Sequence, residues 1–241
     1  MMVTIEIDAL ELEPGMRVLD LGCGRGRHLH ALYWDKTPVD VVGLDLSLED
    51  VKAAWDGFFE LPPPDPSSDL RSAVVTAGDG GRLPFPDASF DRVICSEVLE
   101  HVPDPDLVLS EISRILKPDG LFAASVPRYW PEAICWSLSE GYQNTPGGHV
   151  RIFRSRQLRT AVETQGFDRF RRHWAHALHS PYWWLQCALW DRRDDSGLVR
   201  IYRKFLEWDL LQRPWLTRTM EALLNPLMGK SEVMYFRKTQ G

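Results

Sequence analysis

Short apolar runs alternate with helical periodicity through the first half of the chain. Arg17–Leu21 (RVLDL) has the pattern of a buried strand, and a glycine-rich turn follows it. His28–Trp34 continues a helix that opens in that turn. Val39–Leu44, rich in β-branched residues, predicts a second strand. Ser47 suits an N-cap for a helix over Leu48–Phe59, with Glu49 and Asp50 in its first turn. The segment 61–69 (LPPPDPSSD) breaks that helix and predicts a loop. Ala73–Thr76 and Phe90–Cys95 predict a third and a fourth strand. Asp104 and Pro105 make a cap and a first helical position, and Leu107, Ile112, Ile115 and Leu116 recur behind them with helical spacing. Lys117–Gly120 (KPDG) predicts a closing turn, and Leu121–Val126 a fifth strand.

The second half is less regular. Ser155 predicts a cap for a helix to about Thr164, which Gly166 stops. Strands are expected at Phe167–Ala175 and Glu232–Lys238. Between them lie roughly fifty residues, long for a connection inside a compact domain. They are aromatic, charged and helix-like. The expectation is an α/β core, residues 1–180 with 231–241, carrying a helical insertion over 181–230. Alternating strands and helices predict a mostly parallel sheet covered on both faces.

Composition narrows the function classes. The chain has 241 residues, 28 Lys+Arg against 34 Asp+Glu and a net charge of −6, so nothing draws it generally to a phosphate backbone. Nucleic acid is not an expected partner. The four cysteines form no Cys-x-x-Cys pair, which removes the usual zinc and redox motifs. No apolar run approaches the ~18 residues of a membrane span, and the start is acidic, so a cytoplasmic setting is expected.

The chemistry concentrates at strand ends. Gly22, Gly24 and Gly26 follow the first strand and let the backbone turn sharply and approach a ligand closely. Asp20 ends that strand. Asp45 ends the second strand, where a carboxylate can accept from both hydroxyls of a ribose. Asp79-Gly80 follows the third strand, where an acid can accept from an exocyclic amine. Singly, Asp79-Gly80 reads as a plain turn and Asp45 as a helix cap; in strand order they read as one nucleoside site. After the fourth strand come Glu97, Glu100 and His101 (SEVLEH), at i, i+3 and i+4. On a helix they would share a face and, with His149 of GGHVRIF, offer ligands to a divalent ion. Local packing is the alternative, and His149 or His101 then becomes the candidate base. Arg151 suits either an acidic acceptor or a structural ion pair.

VLDLGCGRG, GLDLS, LPFPDASFDRVICSEVLEHV and LKPDG together resemble the Rossmann-like S-adenosylmethionine-dependent methyltransferases over Met16 to about Phe167. The resemblance implies a seven-stranded sheet whose last strand is antiparallel. It implies S-adenosyl-L-methionine as cofactor, with Asp20, Gly22 and Gly24 at its methionyl part. Asp45 and Leu46 would meet the ribose, Asp79 and Gly80 the adenine, and Ser96 the sulfonium side. SEVLEH with a distant histidine is similar to the metal sites of small-RNA 2′-O-methyltransferases and to a segment of ubiquinone-pathway O-methyltransferases. That implies a magnesium-like ion on Glu97, Glu100, His101 and His149, with Glu97 also catalytic. LKPDG stands where the family commonly has LKPGG, and the N-terminal helix that covers the cofactor in the family is short here.

The acceptor is less legible. Six of the ten tryptophans fall between Trp174 and Trp215. HWAHALHSPYWW would form a roof whose aromatic faces suit a sugar ring, and the same rings suit the insertion's own core or a homodimer surface. GHVRIF with HALHSPYWW resembles methyltransferases of polysaccharide clusters, which implies a carbohydrate or small-molecule hydroxyl as acceptor. Arg200–Arg213 mixes Arg, Lys, Trp and Leu, which suits peripheral membrane contact or an ordinary helix face. Alternative classes are a metal-free N-, C- or lipid methyltransferase, a nicotinamide-dependent oxidoreductase, and a non-catalytic cofactor-binding protein.

Overall fold

The computed structural model describes residues 3–60 and 70–239; the loop expected over 61–69 lies outside the described residues. Seven strands form one sheet: β1 (Arg17–Leu21), β2 (Asp40–Asp45), β3 (Ser72–Ala77), β4 (Phe90–Ser96), β5 (Leu116–Pro127), β6 (Phe167–Ala175) and β7 (Ser231–Lys238). Their order is β3-β2-β1-β4-β5-β7-β6. β7 runs antiparallel to β5 and β6, and the remaining pairs are parallel. The carboxyl ends of β1, β2, β3, β4, β5 and β6 therefore share one edge. The chain leaves β1 for β2 on one side and reaches β4 on the other, so the sheet reverses direction beside β1, where open α/β sheets bind ligands.

Helices cover both faces. On one face α3 (Pro105–Ile115) and α6 (Ser155–Glu163) bury Val108, Leu109, Ile112, Leu158 and Val162 against Leu19, Val93 and Phe122. On the other, α1 (Arg27–Tyr33), α2 (Leu48–Gly57) and a 3₁₀ turn at Ile7–Leu10 bury Leu29, Leu32, Ala54 and Leu10 against Val18, Val41 and Ile94. The caps at Ser47 and Asp104 form as the sequence predicts: their side chains accept from Asp50 N and Leu107 N at 3.2 Å each.

Three local expectations are corrected. Ser155 is the first helical residue, and Arg154 holds the cap position. The Ser155 hydroxyl instead donates to Glu232, a buried acid of β7. The KPDG turn is drawn into β5, whose pairing with β4 shifts register between Phe90 and Arg92 while Asp119 takes a left-handed φ of 61°. Two helices that periodicity did not reveal, α4 (Tyr129–Leu138) and α5 (Glu140–Gln143), follow β5.

The long connection between β6 and β7 is helical, as expected: α7 (His179–Ala188), α8 (Gly197–Gln212) and α9 (Trp215–Met228). A boundary at residue 181 falls inside α7. These helices have a small core of their own, centred on Leu178, Tyr182, Val199 and Leu206. They dock on α4, where Trp184 Nε1 donates to Pro131 O at 3.0 Å and Trp130 packs on Trp184. Among the described residues no helix is long and apolar enough to cross a membrane.

Candidate active site

A cavity of ≈ 730 Å³ opens at the reversal point, above the carboxyl ends of β1, β2, β3 and β4. The glycine turn forms its floor. Gly22 N and Cys23 N both donate to Leu44 O, at 2.7 and 3.1 Å, which folds the turn back over β2. Gly22 has φ +70°, and a Cβ there would lie 2.2 Å from Val98 Cγ2. Gly24 has φ +50°, and its Cα faces open space. Both need the left-handed conformation that glycine adopts without strain.

Asp45 sits at the end of β2 with its carboxylate turned back to the glycine turn. Gly24 N donates to Oδ2 and Ser47 N to Oδ1, each at 2.8 Å. Each oxygen keeps a lone pair for a further donor, so the residue is held in place and can still accept. Leu46 beside it is 80% exposed and lines the cavity. Asp79 accepts from Gly81 N at 2.9 Å and stands exposed at the far wall with Gly80. Gly22, Gly24, Asp45, Leu46, Asp79, Gly80, Glu97 and His101 thus meet around one cavity.

Asp20 and Ser96 do not line it. Asp20 is 1% exposed behind the turn, and its Oδ2 accepts from Leu29 N at 3.1 Å. Burial pushes its carboxyl up to about 7, although Arg27 and that amide pull the other way. Ser96 turns inward: Ser125 Oγ lies 2.8 Å away and Arg27 Nη2 donates at 3.2 Å.

The SEVLEH segment is not helical. Glu97 follows β4 with φ +58°, and the chain turns there. Ser125 Oγ donates to Glu97 Oε1 at 2.9 Å, which ties this carboxylate to β5. Of the expected four-residue metal set, Glu97 is not among the residues whose ligand atoms converge. Glu100, His101 and His149 do converge: one ligand atom from each lies within 4.8 Å of the other two.

The supports of this trio are specific. His101 Nδ1 lies 3.0 Å from Gly147 O and 3.2 Å from Gly148 O. Carbonyls only accept, so Nδ1 carries the hydrogen and Nε2 presents its lone pair. His149 Nδ1 lies 2.7 Å from Glu132 Oε1. Burial opposes ionisation of Glu132, but His149, Lys230 and the Tyr142 hydroxyl outweigh it and hold the acid below its ordinary value. An ionised Glu132 takes the His149 Nδ1 hydrogen, which again frees Nε2. Tyr142 OH donates to the same carboxylate at 2.8 Å, and Trp183 and Trp190 pack against the Tyr142 ring. Part of the aromatic roof thus reaches the site through Tyr142, Glu132 and His149.

Glu100 is 0% exposed, and neither carboxylate oxygen has a hydrogen-bond partner among the described residues. Burial first, and then Glu97, drive its pKa well above the usual range. An unsatisfied acid beside two imidazole lone pairs fits a divalent cation, which would supply its missing partner. Sequence reasoning missed Glu132 and Tyr142. Pro131 and Glu132 in the first turn of α4 are the signal that could have revealed their helix. Arg151 is structural here: it donates to the carbonyls of Leu99, Val102 and Pro103 and braces the SEVLEH loop.

Known proteins agree with this architecture. The family described as a methyltransferase domain matches residues 6–169. A ubiquinone biosynthesis O-methyltransferase of Paracidovorax citrulli is 37% identical over 123 residues, covering 51% of this chain and 48% of that protein. A sterol 24-C-methyltransferase of Gibberella zeae is 39% identical over 228 residues, covering 88% of this chain and 56% of that one. The chain therefore spans about half the length of these curated relatives. Among solved structures, an S-adenosylmethionine-dependent methyltransferase of Methanosarcina mazei superposes with a TM-score of 0.61 at 14% identity, covering 99% of this chain and 100% of the other.

Proposed function

The chain belongs to the methyltransferase-domain family, and from that premise we propose that it transfers a methyl group from S-adenosylmethionine to a hydroxyl of a small acceptor, with help from a divalent ion. The cofactor's ribose and adenine are assigned to Asp45 with Leu46 and to Asp79 with Gly80. Its methionyl part is assigned to the Gly22–Gly24 turn, which Asp20 supports from behind. The single observation that carries the metal-assisted reading is the Glu100–His101–His149 group, whose buried carboxylate has no hydrogen-bond partner among the described residues.

Methyl transfer is a direct displacement: the acceptor oxygen bonds to the methyl carbon as the carbon–sulfur bond breaks, and the hydroxyl proton must leave. Holding donor and acceptor in line supplies much of the rate, on the order of 7–11 kcal/mol. A divalent ion on Glu100, His101 and His149 would lower the acceptor hydroxyl's pKa. Glu132 and the Gly147–Gly148 carbonyls hold the Nδ1 side of the two imidazoles, which leaves the Nε2 atoms as the ligating positions. Without a metal the same arrangement leaves the His149 Nε2 lone pair, backed by Glu132, to take the proton. The acceptor in this reading is a sugar or another compact hydroxylated molecule that enters beneath the Tyr142–Trp183 roof.

Titration with S-adenosylhomocysteine, then single-turnover assays on a panel of hydroxylated acceptors with Mg²⁺ or a chelator, tests the proposal. Activity that survives both chelation and Glu100→Gln would remove the metal from the mechanism. Binding of NADH in place of S-adenosylhomocysteine would overturn the cofactor assignment.

A second reading, an acceptor carried at a membrane surface, has its own support. Leu216, Met220, Leu223 and Leu227 form an i, i+4, i+7, i+11 row on α9, and all are exposed. Leu211 and Trp215, both over 70% exposed, extend it at the α8–α9 corner. Residues 197–230 carry six basic side chains against three acidic ones, in a chain of net charge −6. Apolar rows with basic flanks suit an anionic bilayer. Co-sedimentation with vesicles containing phosphatidylglycerol, compared with neutral vesicles, separates this reading from a purely aqueous acceptor.

A further inference from the structure

A second convergent group stands where the chain leaves the carboxyl end of β6. β6 ends at Ala175, and His176 follows at φ +65°, a conformation that strains a non-glycine residue. His179 opens α7 three residues later, and Glu221 approaches from α9. One ligand atom from each of the three lies within 4.8 Å of the others. They border a cavity of ≈ 240 Å³ between α8, α9 and Val3, which shares no lining residue with the glycine-turn cavity.

The group is braced from several directions. His176 Nε2 lies 3.0 Å from Thr4 Oγ1, which occupies one ring nitrogen and leaves Nδ1. Asn225 Oδ1 accepts from Ala177 N at 2.9 Å, and Ser180 Oγ donates to Met228 O at 2.7 Å. These bonds fix the His176–His179 segment to α9, the helix that bears Glu221. His179 Nδ1 is buried with no hydrogen-bond partner among the described residues. A buried ring nitrogen is seldom left so, and the strain at His176 persists only because its surroundings hold it there.

The electrostatics agree. Burial, reinforced by Lys230, lowers His179 to about 4, and burial with His179 holds His176 well below its ordinary value. Burial, with Asp209 nearby, raises Glu221. A bound cation would compensate that acid and use the orphaned nitrogen.

We propose that His176, His179 and Glu221 form a divalent transition-metal site of zinc type, which clamps the α7–α9 segment to the sheet edge and the N-terminal residues. Two imidazoles and one carboxylate are a ligand set of open zinc sites, and the cavity has room for a water as the fourth ligand. Arg213 and Arg218 line the same cavity, so the fourth position favours an anion or hydroxide over a further cationic group. The site does not depend on the reading of the Glu100 group.

The test uses the full chain, stripped of metal and titrated with Co²⁺, whose visible absorption reports tetrahedral nitrogen and oxygen ligation. Glu221→Gln and His179→Ala should each weaken, by about 10-fold or more, the Co²⁺ binding that remains in a His101→Ala background, which removes the contribution of the Glu100 group, while circular dichroism stays unchanged. A Co²⁺ isotherm unaffected by either substitution, or one lost only in His101→Ala, would overturn the proposal. Crystals of the unaltered protein soaked in Zn²⁺ give an answer that needs no variant. Anomalous density between His179 and Glu221 is expected, and its absence sinks the site.

Discussion

Gly22 shows how much one residue can determine. Its φ of +70° excludes easy replacement, and a Cβ would collide with Val98, a wall of the cavity above the glycine turn. Gly22→Ala is expected to lose about 1–3 kcal/mol of stability from backbone strain alone and to abolish S-adenosylhomocysteine binding; thermal melts and calorimetric titration would show both. Asp20 makes the opposite kind of contribution. Its folded pKa, about 7, stands above its unfolded value of 3.8. Between those values the unfolded chain releases a proton that the folded chain keeps, so this residue lowers stability as pH rises from about 4 to 7. His28 and His179, lowered to about 3 and 4, act in reverse: the unfolded chain takes up protons first, and their contribution is lost as pH falls below about 6.5. The comparison of Asp20→Asn with the parent isolates the first effect. The variant's stability should fall less between pH 4 and 7, and its cofactor affinity should drop. An unchanged pH profile would mean that Asp20 is ionised throughout. The glycine and aspartate positions were legible in the sequence because a strand followed by glycines leaves few backbone alternatives. The partners of these residues were not, because Val98 and Leu29 reach them only through folding.

At the scale of elements, boundaries followed local chemistry where local chemistry was strong. Ser47 and Asp104 cap their helices because a short polar side chain next to free amides needs no tertiary help. Ser155 failed as a cap because Glu232, a distant and buried acid, takes its hydroxyl. Glu97, Glu100 and His101 have helical spacing but no helix, since Glu97 turns the chain at φ +58°. The insertion's core is small, so its helices should open before the sheet does. Leu206→Ala, which removes one of its four buried apolar residues, is expected to cost about 2–5 kcal/mol locally. Hydrogen exchange should then speed up in α8 and α9 while β1, β4 and β5 keep their protection. Uniform acceleration across the chain would instead mean that insertion and sheet unfold as one unit.

At the scale of the whole molecule, ligands act on the fold through the cavity beside β1. S-adenosylhomocysteine at about 100 times its dissociation constant should stabilise the protein by about 2.7 kcal/mol, and the melting temperature should rise with ligand concentration. NADH at the same concentrations should leave it unmoved. The sequence alone determined the α/β class, the order of the strands' chemistry and the glycine turn, because periodicity, turn residues and motif spacing are local properties of the chain. It also placed Gly22, Gly24, Asp45 and Asp79 around one cavity, since successive strands of a parallel sheet deliver their carboxyl ends to one edge. Only the tertiary structure decided which acids and imidazoles meet. It set Glu97 aside, joined Glu100 to His101 and His149, brought Glu132 and Tyr142 behind His149, and placed Glu221 near His176 and His179. Those pairings span long loops and separate helices, and burial sets both their distances and their charges; neither quantity can be read from spacing along the chain.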